Sequence, residues 1–258
     1  MLDADAIKSN LNAERIGREI IIYKSTSSTN DIAAQYANGG GKNDGVVVLA
    51  EQQTAGRGRR ANKWLSQTGK SILCSVLIRD NGISSDIIPL VSAVAVAETV
   101  GKYADAKIKW PNDIFLADRK VAGILIDGIV RAGQKFYVIG IGINCHQRRE
   151  DFVGELRDTA TSIDIQTGGV CDRNKVAAEL LTNLEHYLAA ASDNPASIIE
   201  KWQSRNMLSG KKITVEYNGE RFTGNCIGIE PTEGLIIQLE CGVVRTFDAA
   251  FTTVVKSF

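Results

Sequence analysis

The sequence predicts an α+β chain with a large layered unit over residues 1–207 and a small β unit over residues 208–258. Up to about Asn206, long apolar segments alternate with glycine- and charge-rich loops, the texture of strands and helices stacked in layers. After Leu208, short alternating runs follow in quick succession, and Asn218-Gly219 stands between two of them. An Asn-Gly at that place is the strongest short-range hairpin signal, because both residues tolerate positive φ.

In chain order, residues 3–16 read as a short amphipathic helix or arm and residues 20–23 as a strand. Ser28-Thr29-Asn30 then supplies capping side chains for a helix reaching residue 38. A buried strand over 46–50 leads into a loop with four cations between Arg57 and Lys63, and a second strand covers 71–78. Residues 87–103 are apolar nearly all round, as expected of a helix inside the protein. Strands at 107–110 and 115–116 flank a loop of Pro111-Asn112-Asp113, and core strands at 121–126 and 136–143 meet at a turn around Gly133. Val176, Leu180, Leu184 and Leu188 share one face of a helix over 174–190, with Asp172 near its start, and another helix covers 195–203. The tail divides into strands at 211–217, 223–230, 235–240 and 243–247, about 48 residues forming a small barrel.

Thirty basic residues balance thirty acidic ones, so any phosphate chemistry must come from a local cluster rather than a basic surface. The five cysteines are scattered without a CxxC pair, and His146 and His186 lie forty residues apart, so neither structural zinc nor a disulfide framework is expected. The first residues lack the charged-then-apolar pattern of a secretory leader and no apolar run reaches transmembrane length, which predicts a cytoplasmic protein.

Gly69-Lys70-Ser71 is not a phosphate-binding P-loop, because Trp64 occupies the position of the leading glycine and a strand pattern follows instead of a helix. Gly56-Arg57-Gly58-Arg59-Arg60-Ala61 fits G-x-G-x-x-A in letters only, since three intervening positions are arginine and no apolar helix follows. What remains is an anion-binding loop: arginine forks bind carboxylate or phosphate bidentately, and the glycines let backbone N–H groups approach the same anion. Taken alone, that loop reads equally well as a solvated basic surface. Lys109-Trp110-Pro111-Asn112-Asp113 brings a cation, an aromatic, a rigid turn, an amide and a carboxylate between two buried strands. Lys120 precedes an apolar strand, and Asn144 closes the Gly140-Ile141-Gly142-Ile143 run. Three strand ends with cations, amides and one carboxylate point to an ATP-dependent site.

These pieces, together with Ser28-Thr29-Asn30, Ala50-Glu51-Gln52-Gln53-Thr54-Ala55, Lys63-Trp64 and Asp118-Arg119-Lys120-Val121-Ala122-Gly123-Ile124-Leu125, resemble the biotin protein ligases in order and spacing over about residues 16–165. The resemblance implies a class II aminoacyl-tRNA synthetase-like catalytic domain (1–207) and an SH3-like β-barrel (208–258). It also implies adenylation of biotin by Mg-ATP, then transfer to a lysine of a biotin carboxyl carrier protein domain, on acetyl-CoA carboxylase or a related carboxylase. On the resemblance, Ser28, Thr29, Asn30, Gln53, Arg57, Gly58, Arg59 and Lys120 would hold biotin. Arg57, Arg59, Lys63, Trp64, Lys109, Asn112, Asp113, Lys120 and Asn144 would hold ATP and the adenylate. Lys120, Arg59 and Asp113 would be catalytic, Asp113 either holding Mg²⁺ or steering the incoming lysine.

Ala61-Asn62, Cys145-His146, Asp127 and Ala249-Ala250 depart from the family pattern. Relatives that double as repressors carry about sixty residues of winged helix-turn-helix before the Ser-Thr-Asn motif. With 27 residues before Ser28, no DNA target is expected, nor a membrane, and a homodimer is the expected assembly. A lipoate ligase and a non-catalytic binder using the Arg57–Arg60 loop are the rival readings.

Overall fold

The computed structural model describes residues 1–131, 133–230 and 232–257. Seven strands form a mixed sheet: β1 (Ile20–Tyr23), β2 (Val47–Ala50), β3 (Ser71–Arg79), β4 (Ala106–Lys109), β5 (Asp113–Leu116), β6 (Arg119–Arg131) and β7 (Gln134–Asn144), in the order β1-β2-β3-β7-β6-β5-β4. β1 and β2 are parallel and the remaining pairs antiparallel. β2 and β3 are buried on both faces, so their near-continuous apolar runs reflect two cores rather than one.

The larger core lies between the face carrying Val47, Leu49, Ile72, Cys74 and Val76 and the helices α3 (Ile87–Gly101), α6 (Arg173–Asp193) and α7 (Pro195–Arg205). α3 contacts both α6 and α7, which explains why its sequence is apolar all round. Asp172 caps α6 through the N–H groups of Asn174 and Lys175. On the opposite face α2 (Thr29–Tyr36) covers Val46, Val48, Leu77, Phe136 and Val138. The short α1 (Ala4–Lys8) continues as an arm along α6, where the Glu185 carboxylate accepts the backbone N–H groups of Glu14, Arg15 and Ile16. Two short helices, α4 (Leu156–Thr159) and α5 (Ile163–Thr167), are not legible as elements in the sequence.

The tail folds as an antiparallel sheet of β8 (Lys212–Tyr217), β9 (Glu220–Glu230), β10 (Gly234–Leu239), β11 (Val244–Phe247) and β12 (Thr252–Ser257). Asn218 and Gly219 both take positive φ in the β8–β9 turn, as the Asn-Gly signal requires. The last strand is an addition to the four expected: β12 returns to pair with β8 and closes the meander at its open side.

Candidate active site

A cleft of about 240 Å³ opens on the α2 face of the large sheet. Parallel pairing continues past β1 and β2, where Thr26 bridges Gln53 and the N–H of Ala55 reaches Ser27 O. That extension sets the first turn of α2 against Gln53. The N–H and hydroxyl of Thr29 donate to Gln53 Oε1 at 2.7 and 3.0 Å. Ser75 on β3 lies with its hydroxyl 2.7 Å from Thr29 Oγ1 and 2.6 Å from Asn30 Oδ1. Asn30 Nδ2 donates to Asp127 Oδ2 at 2.9 Å. Ser28, Thr29 and Asn30 are all buried, so this rim is a fixed set of polar groups rather than a solvated surface.

The floor is made by glycines. Gly142 on β7 pairs with Gly123 on β6, and the Trp64 indole lies across both. A Cβ on Gly142 would stand 2.4 Å from the Trp64 ring, and one on Gly140 would stand 2.1 Å from Asn30 Oδ1. Lys120 Nζ sits 5.7 Å from the Trp64 ring centroid and 2.6 Å from Asp113 Oδ1. A bulge brings it there: Ile114 opposes Ala122 and Phe115 opposes Lys120, which leaves Val121 unpaired. The extra residue puts Lys120 on the face of Gly123 and Asp113; without it, Lys120 would share the face of the fully buried Ala122.

The loop between β2 and β3 closes on itself. Trp64 N–H donates to Gly56 O and Gly58 N–H to Asn62 O. A Cβ on Gly56 would stand 2.5 Å from Trp64 O, so closure requires glycine there. Arg57 pairs with Asp31 at 2.7 Å and Asp127 at 3.4 Å. Arg59 donates to Asn112 Oδ1 at 3.4 Å and to Ala249 O. Burial and the neighbouring Arg60 charge pull the Arg59 guanidinium below its ordinary range, so an anion in the cleft would be welcome. Asn112 in turn ties the β4–β5 turn to β6, giving its Nδ2 proton to Ile124 O at 2.8 Å. Lys109 rests over Phe115.

Of the residues expected in a site, thirteen of fourteen line this one cleft: Ser28, Thr29, Asn30, Gln53, Arg57, Gly58 and Arg59 on one side, Lys63, Trp64, Lys109, Asn112, Asp113 and Lys120 on the other. Asn144 does not line it. It is buried at the end of β7, on the face of Gly140 and Gly142 but outside the lining, its Nδ2 donating to Thr161 O at 3.0 Å and its Oδ1 accepting from Gln147. Sequence reasoning missed Ser75, whose only signal is a hydroxyl inside an apolar strand, and the wall supplied by Thr252, Thr253 and Val254 of β12. Asp127, noted only as a departure, holds both Asn30 and Arg57. Six cations, Arg57, Arg59, Arg60, Lys63, Lys109 and Lys120, face the single carboxylate of Asp113 among the described lining residues. That is the local cluster a chain of zero net charge needs in order to handle phosphate.

The sequence model of the biotin/lipoate A/B protein ligase family matches residues 22–144. Fold and cleft thus define a ligase of the class that attaches small carboxylic acids to proteins. The bifunctional ligase/repressor BirA of Bacillus subtilis is 31% identical over 255 residues, covering 96% of this chain and 78% of that protein. The biotin–[acetyl-CoA-carboxylase] ligase of Mycobacterium tuberculosis is 31% identical, covering 84% of this chain and 82% of its own length. The biotin protein ligase of Aquifex aeolicus in complex with biotin and ATP superposes with a TM-score of 0.78 at 26% identity, over 93% of this chain and 100% of that one. The chain belongs to the biotin protein ligases.

Proposed function

We propose that this enzyme activates biotin with ATP and transfers it to one lysine of a biotin carboxyl carrier protein domain, on acetyl-CoA carboxylase or a related carboxylase. The observation that carries the reading is Lys120, held by Asp113 in a cleft where arginines of the closed Gly-Arg loop face a fixed polar rim. Buried Ser28, Thr29 and Asn30 and half-buried Gln53 offer the donors and acceptors that a cyclic urea needs, since an unpaired polar head group costs about 1–3 kcal/mol. Arg57, Gly58 and Arg59 hold the biotin carboxylate and then the adenylate phosphate. A carboxylate oxygen attacks the α-phosphorus of ATP, the bond to the pyrophosphate oxygen breaks, and Lys120 neutralises the charge that gathers on the α-phosphate. Lys63, Trp64, Lys109 and Asn112 flank the nucleotide.

In the second step the acceptor amine attacks the acyl carbon of biotinyl-5′-AMP, AMP leaves, and the amine proton passes to solvent. A lining with one carboxylate would suit Mg²⁺, an ion that keeps most of its ligands as water and phosphate. Asp113 is the residue that would hold it; the ion supplies charge neutralisation of the leaving pyrophosphate. Asn144 acts from outside the lining, fixing the segment at Thr161 rather than touching nucleotide. The reading includes a cytoplasmic location, a homodimer and no DNA target; among the described residues no helix is long and apolar enough to cross a membrane.

ATP–pyrophosphate exchange with biotin, lipoate or neither tests the reading. Exchange with biotin alone supports it, exchange with lipoate alone moves the chain to the sister activity, and no exchange with either overturns adenylation.

A further inference from the structure

We propose that His146, Asp164 and Cys171 form a zinc site outside the cleft. The three come from separate segments: the residues after β7, the first turn of α5, and the loop that enters α6. Their ligand atoms nevertheless lie within 4.8 Å of one another. His146 Nδ1 is 2.7 Å from Asp164 Oδ2 and 4.0 Å from Cys171 Sγ.

Both neighbours approach the same ring nitrogen. A catalytic relay needs its acid and its nucleophile on opposite nitrogens, so this is not one. Three donors converging on a point are instead the pattern of a metal site. Zinc bonds of about 2.3 Å to sulfur and about 2.0 Å to nitrogen or oxygen separate tetrahedral ligand atoms by about 3.3–3.6 Å. The 2.7 Å contact must therefore open and the 4.0 Å contact close, each by about half an ångström, and the Asp164–Cys171 pair, within 4.8 Å, must close by up to about 1.2 Å, movements that side-chain rotation supplies. A nitrogen, an oxygen and a thiolate sulfur together suit zinc, whereas calcium and magnesium want oxygen alone.

The donors are already aimed. Cys171 N–H donates to Asp164 Oδ1 at 2.8 Å, which turns the other carboxylate oxygen to His146, and Asp164 N–H is fixed by Cys145 O. His146 and Asp164 remain about a quarter and a fifth exposed, leaving solvent to complete the coordination. On binding, the Cys171 thiol gives its proton to solvent and the sulfur its electron pair to the metal.

The position matters for the cleft. Thr161 N–H donates to Lys120 O at 2.8 Å, and Thr161 O accepts from Asn144 Nδ2 at 3.0 Å. A metal joining residues 146, 164 and 171 would staple the segment that holds Lys120 and Asn144.

The test uses the full chain, stripped with chelator and titrated with Co²⁺ in the absence of biotin and ATP, so that its failure leaves adenylation untouched. The expected result is one cobalt per chain with thiolate-to-cobalt charge-transfer absorption, displaced by one equivalent of Zn²⁺. The band should vanish in Cys171→Ser and persist in Cys241→Ser, which removes the exposed cysteine. Should Cys171→Ser fail to fold by circular dichroism, Asp164→Asn must weaken cobalt at least tenfold. No charge-transfer band at one equivalent, a band that survives in folded Cys171→Ser, or unchanged affinity in Asp164→Asn overturns the proposal.

Discussion

At the scale of single residues, the cleft depends on what Gly142 lacks. The Trp64 ring would stand 2.4 Å from a Cβ there, and the indole cannot sink further because β7 lies beneath it. Gly142→Ala should lift Trp64 from the floor, at a cost of about 1–3 kcal/mol in a repacked site. Trp110 and Trp202 are buried, so a red shift and gain of quenching by iodide report Trp64 alone, and biotin affinity should fall at least tenfold by calorimetry. Lys120 makes a different contribution. Lys120→Met keeps the stem against Gly123 and removes the charge, so pyrophosphate exchange should fall about 10²–10³-fold. Biotin binding should fall far less, which separates transition-state stabilisation from simple affinity. Equal losses in both would show that Lys120 serves the ground state.

At the scale of elements, a buried ion pair pins the start of the long helix to the sheet. Arg173, the first residue of α6, stands 2.9 Å from Glu51 Oε2 at the end of β2, and donates to Glu51 Oε1 and to Ser71 O. Burial pushes the Glu51 carboxyl up, but the Arg173 hydrogen bond, the Leu2 N–H and nearby positive charge outweigh it and hold it below its ordinary value. A carboxyl depressed in the folded state stabilises fully above the unfolded value near 4.5 and loses that contribution as pH falls through the folded value. Asp151, held down by Arg148 N–H and Lys70 against its own burial, acts in the same direction. Glu51→Gln should cost about 3 kcal/mol at neutral pH, because it leaves Arg173 buried and uncompensated. It should also flatten the acid limb of stability below about pH 4.5, read by urea melts across the pH range. The elements themselves were largely legible. Apolar periodicity marks α3 and α6, and Asn218-Gly219 marks its hairpin because the local backbone demands those residues. The bulge at Val121 was not, since register is decided by the partner strand and leaves no trace in one strand's pattern. Nor was the burial of Asn144 beyond the cleft: its place depends on Thr161, on a segment with no periodicity of its own. Motif residues could be named from the sequence, but which of them reach the cleft was a matter of tertiary packing.

At the scale of the whole molecule, the small β unit is part of the cleft. Thr252, Thr253 and Val254 wall it, and the turn before them is held by the arginine loop of the large unit. Arg59 donates to Ala249 O and Arg60 to Ala250 O, contacts that span 190 residues of sequence. Both acceptors are backbone carbonyls, so alanines at these positions do not weaken the contact; any residue's carbonyl would serve. Arg59 therefore has two tasks in the proposed cycle, clamping the adenylate phosphate and holding the β12 wall over it. Losing the side chain removes both at once, while Lys120 and Arg57 remain to support formation of the anhydride. Arg59→Gly should accordingly keep measurable pyrophosphate exchange but release biotinyl-5′-AMP at least tenfold faster, so that the intermediate no longer travels with the protein on gel filtration. The conservative Arg59→Lys variant separates the two tasks: a point charge can hold phosphate but cannot fork between Asn112 and Ala249. Retention restored by lysine would place the effect on the phosphate, and retention still lost would place it on the wall. Full retention of the adenylate in Arg59→Gly would mean that the loop clamps nothing and that the small β unit closes the cleft unaided.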